Sequence, residues 1–261
     1  MFPKLFEIGD FTIYSYGFFI VLGATLAYFH MAKEAKRLYG IDSEKISTLL
    51  LWIIAMAFIG GKVLFYLEDP GYYVSNPSAM WDDLGNGFVF FGSLLFGVPV
   101  VIWFFKKNNW NVWGMLDITA FSVLIVHAFG RLGCFLAGCC HGNHTDSWLG
   151  VVYTDPACQA ELLNTPLHPT QLYAVVLLAS IFFLLKWIQK NKKIFDGQLF
   201  LIYVILYSLG RGVIEEFRGD EARGYIFDGW FSHSQLISSF LIIIALVFYS
   251  RRLTAIKKTN S

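Results

Sequence analysis

Residues 127–146 read HAFGRLGCFLAGCCHGNHTD and gather reactive side chains into one short stretch. Arg131 carries a permanent charge in a planar fork that pairs bidentately with phosphate or carboxylate. Cys134, Cys139 and Cys140 offer thiols, which act as nucleophiles, disulfide partners or soft-metal ligands. His127, His141 and His144 offer imidazoles, which act as bases or ligands near neutral pH. If the first part of the stretch is helical, His127 and Arg131 share a face at i, i+4. His127 would then serve as a base or phosphate ligand, or else as a structural histidine bonded to a carbonyl or a helix neighbour. A second pair with the same spacing, Arg211 and Glu215, follows later, with Glu216 beside it.

All four cysteines fall between residues 134 and 158. A disulfide is the leading expectation, with Cys158 joined to Cys134, Cys139 or Cys140 so that the 143–166 segment is pinned over the signature stretch. A metal site built from Cys139, Cys140, His141 or His144 is a second reading. Its CCHxxH spacing is tighter than the usual zinc pattern, and no metal is assigned. A cysteine carrying a lipid group covalently is a third reading, with Arg131 favouring its thiolate, though no base is obvious. Inert packing is the fourth.

These groups must be positioned by very apolar elements. Hydrophobic residues make up 56% of the 261-residue chain, aromatics 18% and charged residues 15%, with mean hydropathy +0.54. A soluble domain carries about 25% charged residues. Apolar blocks near 13–32, 46–67, 87–105, 113–133, 170–188, 196–214 and 234–250 approach the roughly 20 residues that cross a bilayer. The fold expected is all-α integral membrane, seven transmembrane helices in one polytopic domain over 1–261. The net charge of +1 gives no bias toward nucleic acid. No glycine-rich nucleotide loop is present, so no cofactor is expected. The first apolar block, beginning near Phe11, has no basic leader and no small-residue cleavage site, so no cleaved signal peptide is expected.

Basic residues set the orientation, because they collect on the cytoplasmic side. KEAKRLYGIDSEK, KKNNW, KWIQKNKK and RRLTAIKK follow the first, third, fifth and seventh segments and hold most of the 20 Lys and Arg. Residues 68–86 and 134–168 contain neither. The N-terminus is therefore expected outside and the C-terminus in the cytoplasm. Lys4, Lys62, Arg131, Arg211, Arg218 and Arg223 are left over. A charge at the bilayer centre costs about 2.5–3.5 kcal/mol on insertion scales. These residues are expected either to anchor at the interface, some paired with Glu68, Glu215 or Glu216, or to converge on an anionic phospholipid headgroup.

Several motifs resemble the prolipoprotein diacylglyceryl transferase family. IYSYGF (13–18) is similar to its first-helix motif, FIGGKVLFYLEDP (58–70) to the end of its second helix, and GRLGCFLAGCCHG (130–142) to its signature. LHPTQLYA (167–174) resembles its HPSQLYE motif, GRGVIEEFRGDEA (210–222) its RxxxEFFRxPD block, and HSQLIS (233–238) its entry to helix seven. The resemblance implies a transferase in a bacterial inner membrane, its site facing outward. It would move a diacylglyceryl group from phosphatidylglycerol to the lipobox cysteine of a preprolipoprotein signal peptide and release glycerol phosphate. It also implies Arg131, Arg211, Tyr16 and His127 as the catalytic group. Gly142, Glu215, Arg218, His168 and Gln171 would support substrate binding.

This chain departs from the family pattern at three places. Where the family opens its third helix with HGG, FFGSLLFG places Phe91 at the histidine. Where the signature reads GRIGNFINGE, Cys134, Ala137 and Cys139 replace two asparagines and a glutamate. Residues 143–166 give only a short outward insertion. Alternative readings are a divergent lipid-headgroup transferase with another acceptor and a non-catalytic membrane protein that binds lipid or a partner.

Overall fold

The computed structural model describes residues 1–9, 11–218, 225–226 and 231–259. Seven of its helices are long and apolar enough to cross a membrane: α1 (Ser15–Tyr39), α2 (Ser43–Glu68), α5 (Phe90–Lys107), α6 (Val112–Ala137), α7 (Thr170–Asn191), α8 (Gln198–Glu215) and α9 (His233–Thr259). The short helices α3 (Pro70–Ser75) and α4 (Ala79–Asp82) lie between α2 and α5. Three two-stranded hairpins complete the described fold: β1 (Lys4–Ile8) with β2 (Phe11–Tyr14), β3 (Val151–Val152) with β4 (Pro166–Leu167), and β5 (Tyr225–Ile226) with β6 (Phe231–Ser232). The chain is a multi-pass membrane protein by its helices. Several helices outrun their apolar blocks, because intrahelical hydrogen bonding continues into the polar flanks. α1 runs on to Tyr39 with Lys36 and Arg37 in its last turn, where cations complement the helix dipole.

The chain forms two compact units, residues 31–115 and residues 1–30 with 116–261. In the first, Gly40 (φ +65°) ends α1 and donates to the Lys36 carbonyl at 3.0 Å. α2 and α5 approach closely at glycine. A Cβ added at Gly60 would strike the Gly92 carbonyl oxygen. Such contact between backbones is how helices pack where lipid removes the hydrophobic drive for association.

In the second unit the β1–β2 hairpin leads into α1, which crosses α6 at Gly23, Gly130 and Gly133. An added Cβ at Gly23 would lie 2.7 Å from Phe129 Cβ. Phe121 and Leu124 of α6, Leu178, Ile181 and Leu185 of α7, and Leu199 of α8 form a buried core. That core holds α6, α7 and α8 in fixed register. The β3–β4 hairpin folds the 143–166 segment around buried Tyr153, Cys158 and Leu167.

Candidate active site

Helix α6 supplies the first half of the site. Nε of Arg131 donates to Nε2 of His127 at 3.3 Å, so the two side chains share one face. An imidazole that accepts through Nε2 is neutral and keeps its proton on Nδ1. The His127 ring meets Tyr207 of α8 edge to face, with centroids 5.3 Å apart. One turn further along α8, Arg211 is ion-paired with Glu215, and their side chains are only 14% and 10% exposed. Just past α8, Arg218 is 7% exposed and its amide donates to the Glu215 carbonyl at 3.0 Å. Arg131 is thus linked through His127 to Tyr207, one turn from Arg211 on α8. Among the described residues no carboxylate pairs with Arg131. Tyr16 opens α1 within reach of the Arg131 charge and of the Cys134, Cys139 and Cys140 thiols. Gly133 fixes that approach, since an added Cβ would lie 3.1 Å from Tyr16 Cα.

The segment after α6 supplies the second half. Gly138 (φ +82°) ends the helix. Its amide donates to the Phe135 carbonyl at 3.3 Å and that of Cys139 to the Cys134 carbonyl at 3.1 Å, a Schellman closure. The chain therefore folds back, and the sulfurs of Cys134, Cys139 and Cys140 lie within 4.8 Å of one another. Gln171 and Thr170 at the start of α7 hold this turn by donating to the carbonyls of Cys139 and Cys140 at 2.6 and 2.8 Å. Hydrogen bonds from the thiols of Cys134 and Cys139 draw the Cys140 thiol below its ordinary value; Arg218 and Arg131 reinforce this and burial opposes it. Contacts with Cys134 and Cys140 push the Cys139 thiol up.

The remaining expected residues position rather than converge. A Cβ at Gly142 would collide with the Phe217 carbonyl oxygen and come within 2.8 Å of His168 Cβ. Glycine there lets the signature loop seat between the end of α8 and the start of α7. His168 makes no side-chain cap on α7; Nδ1 bonds to the Tyr173 hydroxyl at 3.0 Å and the ring packs on Phe217. Gln171 is fully buried and also reaches the Tyr153 hydroxyl at 3.2 Å.

All four cysteines are free thiols, so the disulfide expected from Cys158 to the signature stretch is not formed. Cys158 is instead held in the loop core by Tyr153 and Leu167, its amide bonded to the Asp155 carbonyl at 3.0 Å. His141 turns to the Gly142 carbonyl and packs on Tyr153, while His144 is exposed near Asp146. Neither joins the sulfur cluster. In the 31–115 unit, Lys62 spends its three protons on the carbonyls of Asp83, Asn86 and Gly87 at 2.7, 2.7 and 2.8 Å. This is a structural role that binds the end of α2 to the following loop, without Glu68. Phe91 is exposed near the start of α5. Arg223 lies outside the described residues.

Asp117 is the buried charge that sequence reasoning missed. From α6 it accepts from the amides of Gly197 and Phe200 at 2.9 and 3.0 Å and pairs with Lys193 at 3.0 Å. It thus caps the N-terminus of α8 from a neighbouring helix. The signal available was a lone carboxylate in an apolar span, which is costly unless partnered.

Residues 3–251 match the family model for prolipoprotein diacylglyceryl transferase. The phosphatidylglycerol–prolipoprotein diacylglyceryl transferase of Clostridium tetani is 40% identical over 251 residues, 95% of this chain and 96% of the relative. A Clostridium perfringens protein of that name, numbered 2, is 34% identical over 245 residues, 94% and 93% of the two chains. One from Dehalococcoides mccartyi is 30% identical over 253 residues, 96% and 93%.

Proposed function

The chain belongs to the prolipoprotein diacylglyceryl transferase family, and on that premise we propose that it transfers the diacylglyceryl group of phosphatidylglycerol to the lipobox cysteine of a preprolipoprotein. The bond between the diacylglyceryl carbon and its phosphate oxygen breaks, and a carbon–sulfur bond forms. The electron pair leaves with the phosphate, and the thiol proton ends on that oxygen as glycerol phosphate departs. A gain of charge on phosphate is what preorganised guanidinium groups stabilise, most effectively where water is excluded. Arg131 and Arg211 bind the phosphate in this reading, and Arg218 adds charge behind them. Tyr16 bonds the headgroup or the incoming thiol. His127 orients the Arg131 fork; its Nε2 is already engaged by that arginine, which makes it a positioning residue and not the base.

The observation that carries this reading is Arg131, a charge in an apolar helix whose Nε donates to a neutral imidazole. A cation so placed is balanced by an anion that arrives with the substrate. Lys and Arg gather at the C-terminal ends of α1, α5, α7 and α9 and in the residues just after α7, which supports an N-terminus outside, a cytoplasmic C-terminus and a site facing outward from a bacterial inner membrane.

The test is a mass-spectrometric assay of purified protein with phosphatidylglycerol and a lipobox peptide. The peptide is expected to gain the diacylglyceryl mass, and Arg131→Ala to slow the gain about 100–1000-fold. A folded wild-type protein that binds the lipid but leaves the peptide unchanged would overturn the assignment.

A further inference from the structure

The sulfur cluster follows Arg131 in the chain, and the reaction above uses none of its thiols. Cys134 sits in the last turn of α6, and Cys139 and Cys140 are returned to it by the left-handed turn at Gly138. Cys140 itself adopts φ +62°, a conformation that side-chain-bearing residues rarely take. The three Sγ atoms lie within 4.8 Å of one another. Three sulfurs bound to one ion at about 2.3 Å stand roughly 4 Å apart, so small side-chain rotations close the site. The backbone is already fixed for this, because Gln171 and Thr170 hold the carbonyls of Cys139 and Cys140 at 2.6 and 2.8 Å. Both of those side chains are buried.

We propose that Cys134, Cys139 and Cys140 form a three-thiolate site for a single thiophilic d10 metal ion. Soft thiolate ligands select ions of that class over hard cations such as magnesium or calcium. The charge balance fits: three thiolates with a divalent ion keep a net negative charge, and Arg131 and Arg218 already act on Cys140 to offset it. Binding releases the protons of the three thiols to solvent, so affinity rises with pH. The CCHxxH spacing did not disclose the site because its third sulfur comes from the helix before the turn and not from His141 or His144.

The probe is Cd2+, titrated into the full-length, fully reduced protein in detergent under anaerobic conditions, with thiolate-to-cadmium charge-transfer absorption as the readout. One Cd2+ per chain is expected. Cys134→Ser, Cys139→Ser and Cys140→Ser should each weaken binding beyond the roughly 100-fold that loss of an outer-shell partner costs. Cys158→Ser should retain both the band and the affinity. A wild-type protein without the band overturns the proposal whatever the variants do. Equal loss on Cys158→Ser, or undiminished binding by Cys139→Ser, overturns it as well. The readout is independent of transferase activity, so it stands or falls apart from the assigned reaction.

Discussion

The two ends of α6 each carry a charge, and they treat it in opposite ways. Asp117 is 3% exposed and has three partners, two amides of α8 and the Lys193 ammonium. Arg131 is half-buried and bonds to an uncharged histidine. Among the described residues, the same helix thus holds one charge that is met by an opposite charge and one that is not. The first kind stabilises structure, because a carboxylate at a helix N-terminus meets orphan N–H groups and the positive end of the dipole. The second kind serves a ligand.

The largest effect that tests this contrast is at Asp117. Asp117→Ala leaves two amides without their acceptor and Lys193 with Asp196 alone, and should destabilise the protein by about 2–5 kcal/mol, since each buried group left unsatisfied costs about 1–3 kcal/mol. Thermal unfolding in detergent measures it. Arg131→Ala should do the reverse, lowering the transfer rate about 100–1000-fold with little change in unfolding temperature. If Arg131→Ala destabilises as strongly as Asp117→Ala, the two ends are alike and the distinction fails. Gly142→Ala probes the seat of the signature loop, where the new methyl meets the Phe217 carbonyl and His168. It should cost about 1–3 kcal/mol, the usual range for overpacking, with the same unfolding assay as the check.

His127→Phe is expected to act more gently. It keeps an aromatic ring on Tyr207 but removes the acceptor that orients Arg131. A rate loss of about tenfold would correspond to roughly 1.4 kcal/mol of lost orientation. Steady-state kinetics across pH would show the profile unchanged in shape, whereas loss of a pH-dependent limb would make His127 a base after all. At neutral pH the smallest effect concerns Tyr153, whose phenol is pushed up to about 12 by burial. The unfolded phenol ionises near 10 and the folded one later. Stability should therefore be flat below pH 10 and fall as pH rises toward 12. Tyr153→Phe should make that limb shallower in pH-dependent melting, with Tyr73 retaining part of it.

What could be read from sequence was local. The apolar blocks locate seven long helices because span length is a property of consecutive residues. The pairs His127 with Arg131 and Arg211 with Glu215 follow from helical spacing alone. What escaped depends on residues far apart in the chain. Asp117 finds Gly197 and Phe200 across the α6–α8 interface, and Lys62 finds carbonyls more than 20 residues onward. Cys158 was expected to join the other cysteines because all four are close in sequence, but the hairpin core around Tyr153 claims it.

The seam between α1 and α6 has a further consequence for natural variation. Within a helix, alanine at Gly133 would raise helix propensity by about 0.5–1 kcal/mol. It would also place a methyl 3.1 Å from Tyr16 Cα and 3.2 Å from Phe19 Cβ. The helix would become more robust while the phenol beside Arg131 was shifted off its mark. Helix stability and placement of the Tyr16 phenol therefore make opposite demands on this one position, and glycine meets the second.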